Sequence, residues 1–162
     1  MLPVIPHIVI RTDGAARGNP GPASLGAALI DGSRADALDP SAQPDATISE
    51  ALGHNTNNVA EWTGVLRALE LAQRLGAQKV DMFLDSKLIV EQLHGRWRVK
   101  DAKLQPLWAE AKATLAGFQR WSATHVPRAQ NSTADRLANE ALDRVAAGGP
   151  ARVARARRTT GD

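Results

Sequence analysis

Four carboxylates stand where strands end or helices begin: Asp13 closing IVIRT, Glu61 in TNNVAEW, Asp85 closing MFLD, and Asp135 in NSTADRLAN. Taken singly, each has a structural use. Asn58 and Glu61 have capping-box spacing, Asp85 stands before a helix that starts at Ser86, and Ser132 with Asp135 repeats the cap pattern. Taken together they suit different chemistry. In an open sheet, parallel strand ends and the helix starts that follow them gather on one edge, where ligand crevices form. Carboxylates crowded there raise one another's pKa unless a cation neutralises them. All-oxygen ligands in a chain without cysteine favour Mg²⁺ or Mn²⁺. Two such ions about 3.5–4 Å apart would activate a water and stabilise the leaving oxygen in phosphodiester hydrolysis.

The elements that must position these groups are legible from periodicity. Residues 7–12 alternate and are β-branched, 24–30 (SLGAALI) form a second apolar run, and 46–52 (ATISEAL) a third strand. Turn-rich connections between them, including the polar loop DGSRADALDPSAQPD, suggest an antiparallel meander. After Asn58 the period becomes helical: Val59, Trp62, Val65, Leu66, Leu69, Ala72 and Leu75 share a face, with Gly76 as the stop. KVDMFLD (79–85) reads as a strand, SKLIVEQLHG as a helix closed by Gly95, about 102–116 as a third helix, FQRWSATHV as a strand and ADRLANEALDRVA as a last helix. A meander followed by strand–helix alternation predicts an α/β fold, a mixed sheet with helices on its faces.

With 162 residues the chain is expected to form one domain over 1–145 with a single core. The absence of cysteine excludes disulfides, thiolate zinc sites and cysteine nucleophiles. No basic stretch leads into a long apolar run at the N-terminus, and no run approaches the ~18 apolar residues of a membrane span, so a cytoplasmic protein without a membrane partner is expected. The net charge of +3 is misleading about the body. Residues 146–162 hold four of the 20 basic side chains and one of the 17 acidic ones, which leaves 16 of each in residues 1–145. That Gly/Ala/Arg-rich segment reads as a disordered basic tail, with weak attraction for phosphates or no task beyond solubility.

The stretches TDGAARGNPGP, TNNVAEW, LDSKLIV and NSTADRLANEAL, in that order, resemble type 1 ribonuclease H, in particular short bacterial and archaeal members lacking the basic protrusion between the second and third helices. The resemblance covers about residues 7–143. It implies a ribonuclease H-like fold with a five-stranded mixed sheet, three antiparallel strands then two parallel ones, flanked by helices. It also implies an endoribonuclease that cuts the RNA strand of RNA–DNA hybrids with two Mg²⁺ or Mn²⁺ ions, held by Asp13, Glu61, Asp85 and Asp135 as the catalytic carboxylates. Asn19, Asn57 and Asn58 match positions that contact the hybrid, although turn and cap chemistry is also open to them. The small residues after Asp13 would let backbone approach the substrate. Because only RNA offers a 2′-OH, amides near the cut strand can require it. A monomer would suffice.

Two features depart from the family pattern. Many members carry a histidine on a loop before the last aspartate, whereas His125 is expected on the strand itself, leaving Arg128 as a substitute near the scissile phosphate. In place of the protrusion stands GRWRVKDAK (95–103), where Arg96, Arg98, Lys100 and Lys103 surround Trp97. That pattern suits phosphate contact with stacking, or simple packing of the indole under a loop. Trp62, Trp108 and Trp121 sit at packing positions. The competing readings are a non-catalytic hybrid-binding module and a DNA-junction nuclease of the same fold. Four anions beside phosphates disfavour the first, and the TNN and GNPG motifs disfavour the second.

Overall fold

The computed structural model describes residues 3–156. Three strands come first, β1 (His7–Ala16), β2 (Gly21–Asp31) and β3 (Ala46–Asn55). They are followed by α1 (Asn57–Arg74), β4 (Lys79–Leu84), α2 (Lys87–Leu93), α3 (Gln105–Leu115), β5 (Arg120–His125), α4 (Ser132–Ala146) and β6 (Arg152–Ala156). The sheet order is β5-β4-β1-β2-β3-β6. β1, β2 and β3 pair antiparallel, as the meander predicts, and β4 and β5 add parallel to β1. Because Thr12–Leu84 is the last pair of the parallel β1–β4 ladder, Asp13 and Asp85 follow it side by side, although β1, expected to stop at residue 12, runs on through Asp13 to Ala16 against β2.

One face of the sheet carries α1, whose stripe of Trp62, Val65, Leu69, Ala72 and Leu75 is almost wholly buried against Ile8, Ile10, Leu25, Ile48, Val80 and Met82. Trp62 is 0 % exposed, and its indole N–H donates to Gln92 of α2 at 3.0 Å, so the packing expectation holds and its polar edge is satisfied. The opposite face is covered by α4 over β2 and β3, and by the loop 32–45 over Val9, Ile30 and Phe83. Small residues set how close α4 lies. Ser24 and Ser49 donate to the carbonyls of Ala138 and Leu137 at 2.5 and 2.6 Å, and a Cβ at Gly26 would overlap the backbone of Ala134 and Ala138.

The expected five strands become six. The segment 146–162, expected as a disordered tail, completes α4 at Ala146 and then forms β6, antiparallel to β3; residues 157–162 lie outside the described residues. Composition suggests disorder because RVARA has little to bury, but an unpaired strand edge offers backbone hydrogen bonds that composition does not register. Ala51 N–H donates to the Ala151 carbonyl at 2.7 Å. The Arg144 guanidinium donates to the carbonyls of Pro150 and Ser49 at 2.7 and 2.8 Å, and Arg152 pairs with the buried Glu50 at 3.5 Å. Among the described residues no helix is long and apolar enough to cross a membrane.

Candidate active site

None of the four carboxylates caps a helix. At α1 the cap is Thr56, whose Oγ1 accepts from Val59 N–H at 3.2 Å, and at α2 it is Ser86, accepting from Ile89 N–H at 3.3 Å. α4 starts after Asn131 without a side-chain cap. The carboxylates are therefore free for other work, and the fold brings them together. Asp13, Glu61 and Asp85 each offer an oxygen within 4.8 Å of the others, and Asp135 in the first turn of α4 contacts the Asp13 carboxyl. They line an open pocket of 370 Å³ with Gly14, Arg17, Asn57, Arg128 and Asn139.

Close backbone packing creates this convergence. A Cβ at Gly14 would overlap the backbone of Ala60 and Glu61, so this glycine lets the start of α1 press on the end of β1. The glycine after Asp13 thus serves helix–strand contact, where the sequence suggested backbone approach to substrate.

Crowding and burial dominate the electrostatics. Asp13 is raised to about 8, by burial first, then by the Asp85 charge and the contact with Asp135. Its hydrogen bond with Glu61 opposes the rise. Glu61 is pushed well above its ordinary range, again by burial first and by the Asp13 and Asp85 charges next. Asp85 is raised by burial, against the pull of Asn131 and Arg128. A hard divalent cation would remove this repulsion, and the all-carboxylate donor set fits one.

The remaining candidates divide. Asn57 lines the pocket, and its backbone N–H donates to the side-chain oxygen of Asn19 at 3.0 Å, which ties the β1–β2 turn to the start of α1. Asn58, next along α1, is exposed. Arg128 is 83 % exposed, with its guanidinium 3.8 Å from Asp135. His125 ends β5 opposite Leu84 and does not line the pocket. Trp97 is 44 % exposed after α2, with the Lys87 ammonium 5.8 Å from its ring centre, beside a separate groove shared with Arg96, Arg98 and Trp108. Sequence reasoning passed over Asn139, whose amide donates to the Asp135 carbonyl at 3.0 Å, and the buried Asn131. The i,i+4 spacing of Asp135 and Asn139 was the available signal for the former.

A sheet whose direction reverses beside β1, with carboxylates gathered from two parallel strand ends and two helix starts, defines an α/β protein with an acidic site at its switch point. The chain belongs to the ribonuclease H family. The family described as reverse transcriptase-like matches residues 11–141. A bifunctional protein of Mycobacterium tuberculosis is 44% identical over 139 residues, 86% of this chain and 36% of that protein. Its N-terminal RNase H domain, solved as a fusion with maltose-binding protein, superimposes with a TM-score of 0.77 over 85% of this chain and 99% of that one. A ribonuclease HI of Halobacterium salinarum is 42% identical over 81% of this chain and 62% of its own length. The chain thus spans less than two-thirds of these relatives. An RNase H1 solved in complex with an RNA/DNA hybrid is 35% identical, with a TM-score of 0.76 over 86% of this chain and 99% of that one. Family membership implies dependence on a divalent metal, and the acidic cluster is consistent with it.

Proposed function

We propose that the chain is an endoribonuclease that hydrolyses the RNA strand of RNA–DNA hybrids, with two Mg²⁺ or Mn²⁺ ions held by Asp13, Glu61, Asp85 and Asp135. The observation that carries this reading is the convergence of Asp13, Glu61 and Asp85 within 4.8 Å where the parallel β1–β4 pairing ends and where none of them serves a cap. Such ions, when bound, activate a water and stabilise the departing oxygen of the cut phosphodiester.

The chain's own residues supply the setting. Burial of Asp13 and Glu61 places their charge in a low-dielectric wall, where electrostatic interactions are strong. Asn57 lines the pocket, Asn19 accepts from its backbone N–H and Asn58 is exposed next along α1, amides suited to a sugar edge and its 2′-OH. Arg128 projects beside Asp135 toward solvent, where it would meet a phosphate. Trp97 with Lys87 and Arg98 offers a stacking surface and positive charge to the other strand, while the Arg96 guanidinium is held by the Glu91 carboxylate. The hybrid-bound relative supports this partner. All four carboxylates come from one chain, so a monomer suffices, and the lack of cysteine suits the reducing cytoplasm.

The test is cleavage of an end-labelled hybrid in Mg²⁺, Mn²⁺ or EDTA, with Asp85→Asn in parallel. Metal-dependent cutting of the RNA strand should fall on the order of a thousandfold or more in the variant. Binding without cutting in both metals would favour a hybrid-binding module instead. Preferential cutting of branched DNA would favour a junction nuclease.

A further inference from the structure

We propose that Asn131 is a positioning residue, a strut whose side-chain amide holds the end of β1, the end of β4 and the start of α4 at the separation the four carboxylates require. Its consequence for catalysis rests on the nuclease reading above. Asn131 is 1 % exposed and occupies the residue before α4, yet makes no side-chain cap. Instead its amide nitrogen donates to the carbonyl of Thr12, the residue before Asp13, at 2.7 Å. The Asp85 carboxyl faces the same amide, whose pull works against the burial that raises it. Its backbone carbonyl accepts from Asp135 N–H at 3.1 Å, closing the first turn of α4. One residue therefore bonds the segments that deliver Asp13 and Asp135, and its amide faces the Asp85 carboxyl.

The orientation of the amide is not free. Thr12 offers a carbonyl and Asp85 a carboxylate, so only the NH₂ end can face them; turning the amide over would set its oxygen against two acceptors. The oxygen is left buried without a hydrogen-bond partner among the described residues. An unpaired buried acceptor is disfavoured, and a residue kept only to start a helix would have no need of it. The turn is braced from the sheet side as well. Arg11, 3 % exposed with its guanidinium 4.8 Å from the centre of the Phe83 ring, donates to the carbonyl of Gln130 at 3.2 Å and to that of Leu38 at 3.2 Å. Asn131 thus acts against a clamped backbone and transmits its geometry to the carboxylates.

The competing role is helix initiation, and two substitutions separate the two. Ser and Asp are both good helix N-caps, so Asn131→Ser and Asn131→Asp would be harmless if capping were the task. As a strut, Ser is too short to reach both partners, and Asp presents oxygen to both. Full-length wild type and variants would be compared by Mn²⁺ titration calorimetry without nucleic acid, by kcat and KM on a labelled hybrid, and by the unfolding midpoint in EDTA. The strut predicts that Mn²⁺ affinity and kcat both fall about 10–100-fold in each variant, Asp being the worse, while KM stays within about twofold. Wild-type Mn²⁺ affinity and kcat in Asn131→Ser would overturn the proposal, as would a lowered unfolding midpoint with Mn²⁺ affinity unchanged. Wild type that binds Mn²⁺ but leaves the hybrid uncut would sink the nuclease reading, while the Mn²⁺ comparison still decides the strut.

Discussion

Asp13 faces Gly26 across the antiparallel β1–β2 pair, and the missing side chain of Gly26 is where the backbone of α4 lies. This sets the distance between the end of β1 and the helix that carries Asp135. Gly26→Ala would force the Cβ against the Ala134 carbonyl and Ala138 nitrogen, both backbone atoms that cannot swing aside. Overpacking of this kind costs about 1–3 kcal/mol, and the displaced helix carries Asp135 with it. Thermal unfolding and hybrid cleavage should both suffer. A variant with wild-type kcat would show that Asp135 tolerates a displaced α4.

The raised pKa of Asp13 makes metal-free stability depend on pH. Between 3.8 and about 8 the folded protein holds a proton on this group that the unfolded chain releases. Stability therefore falls as pH rises through that window, and the penalty is complete above about 8. Asp13→Asn removes it. In EDTA at pH 8 the variant should melt several degrees above wild type, roughly 2–4 °C for each kcal/mol relieved, with the gap closing toward pH 5. Mg²⁺ should stabilise wild type more at pH 8 than at pH 5, because protons compete for the same oxygens. Parallel melting curves for the two proteins across this range would contradict the electrostatic account.

Arg128 and His125 are expected to behave differently although both precede Asp135. Arg128 reaches the carboxylate pocket, so Arg128→Ala should weaken hybrid binding and reduce the slope of log affinity against log salt by about 1. His125 sits on β5 away from that pocket. His125→Ala should leave kcat within about twofold, far from the ~10²–10⁴-fold loss that follows removal of a general acid or base. Loss of turnover on that scale would place the histidine in the reaction.

Removing β6 should destabilise the domain even though the segment carries none of the candidate ligands. Its deletion exposes the edge of β3 and leaves Glu50, 8 % exposed, with Arg67 at 3.3 Å as its remaining guanidinium partner among the pairs described. A chain ending at residue 149 should lose about 1–3 kcal/mol, read as a lower urea midpoint. An unchanged midpoint would mean that β6 contributes nothing to the folded state.

Local chemistry made much of this protein legible. The stripe from Val59 to Leu75 identifies α1 because a helix that buries one face must repeat its apolar residues at that period, and Trp62 is indeed buried. Alternation marks β1, and a carboxylate directly after an apolar strand run marks Asp13 and Asp85 as unusual, although β1 continues past Asp13 to Ala16. Order along the chain is enough to suggest that four such groups belong together. The same local reasoning chose the wrong caps: Asn58–Glu61 has the spacing, but Thr56 has the geometry. It also missed β6, because pairing with β3 is a property of a distant edge and not of RVARA.

The sequence by itself determined the elements before β6, the four carboxylates of the pocket and the family, since each depends on residue type, order and short-range period. Tertiary structure decided how near the carboxylates come, which of them are raised and which small residues permit the approach. Those outcomes depend on distances between segments far apart in the chain: Gly14 against Ala60, Gly26 against Ala134, and Asn131 against Thr12. Burial and charge interactions vary steeply with such distances, so the same residues at slightly different spacing would make an ordinary protein surface.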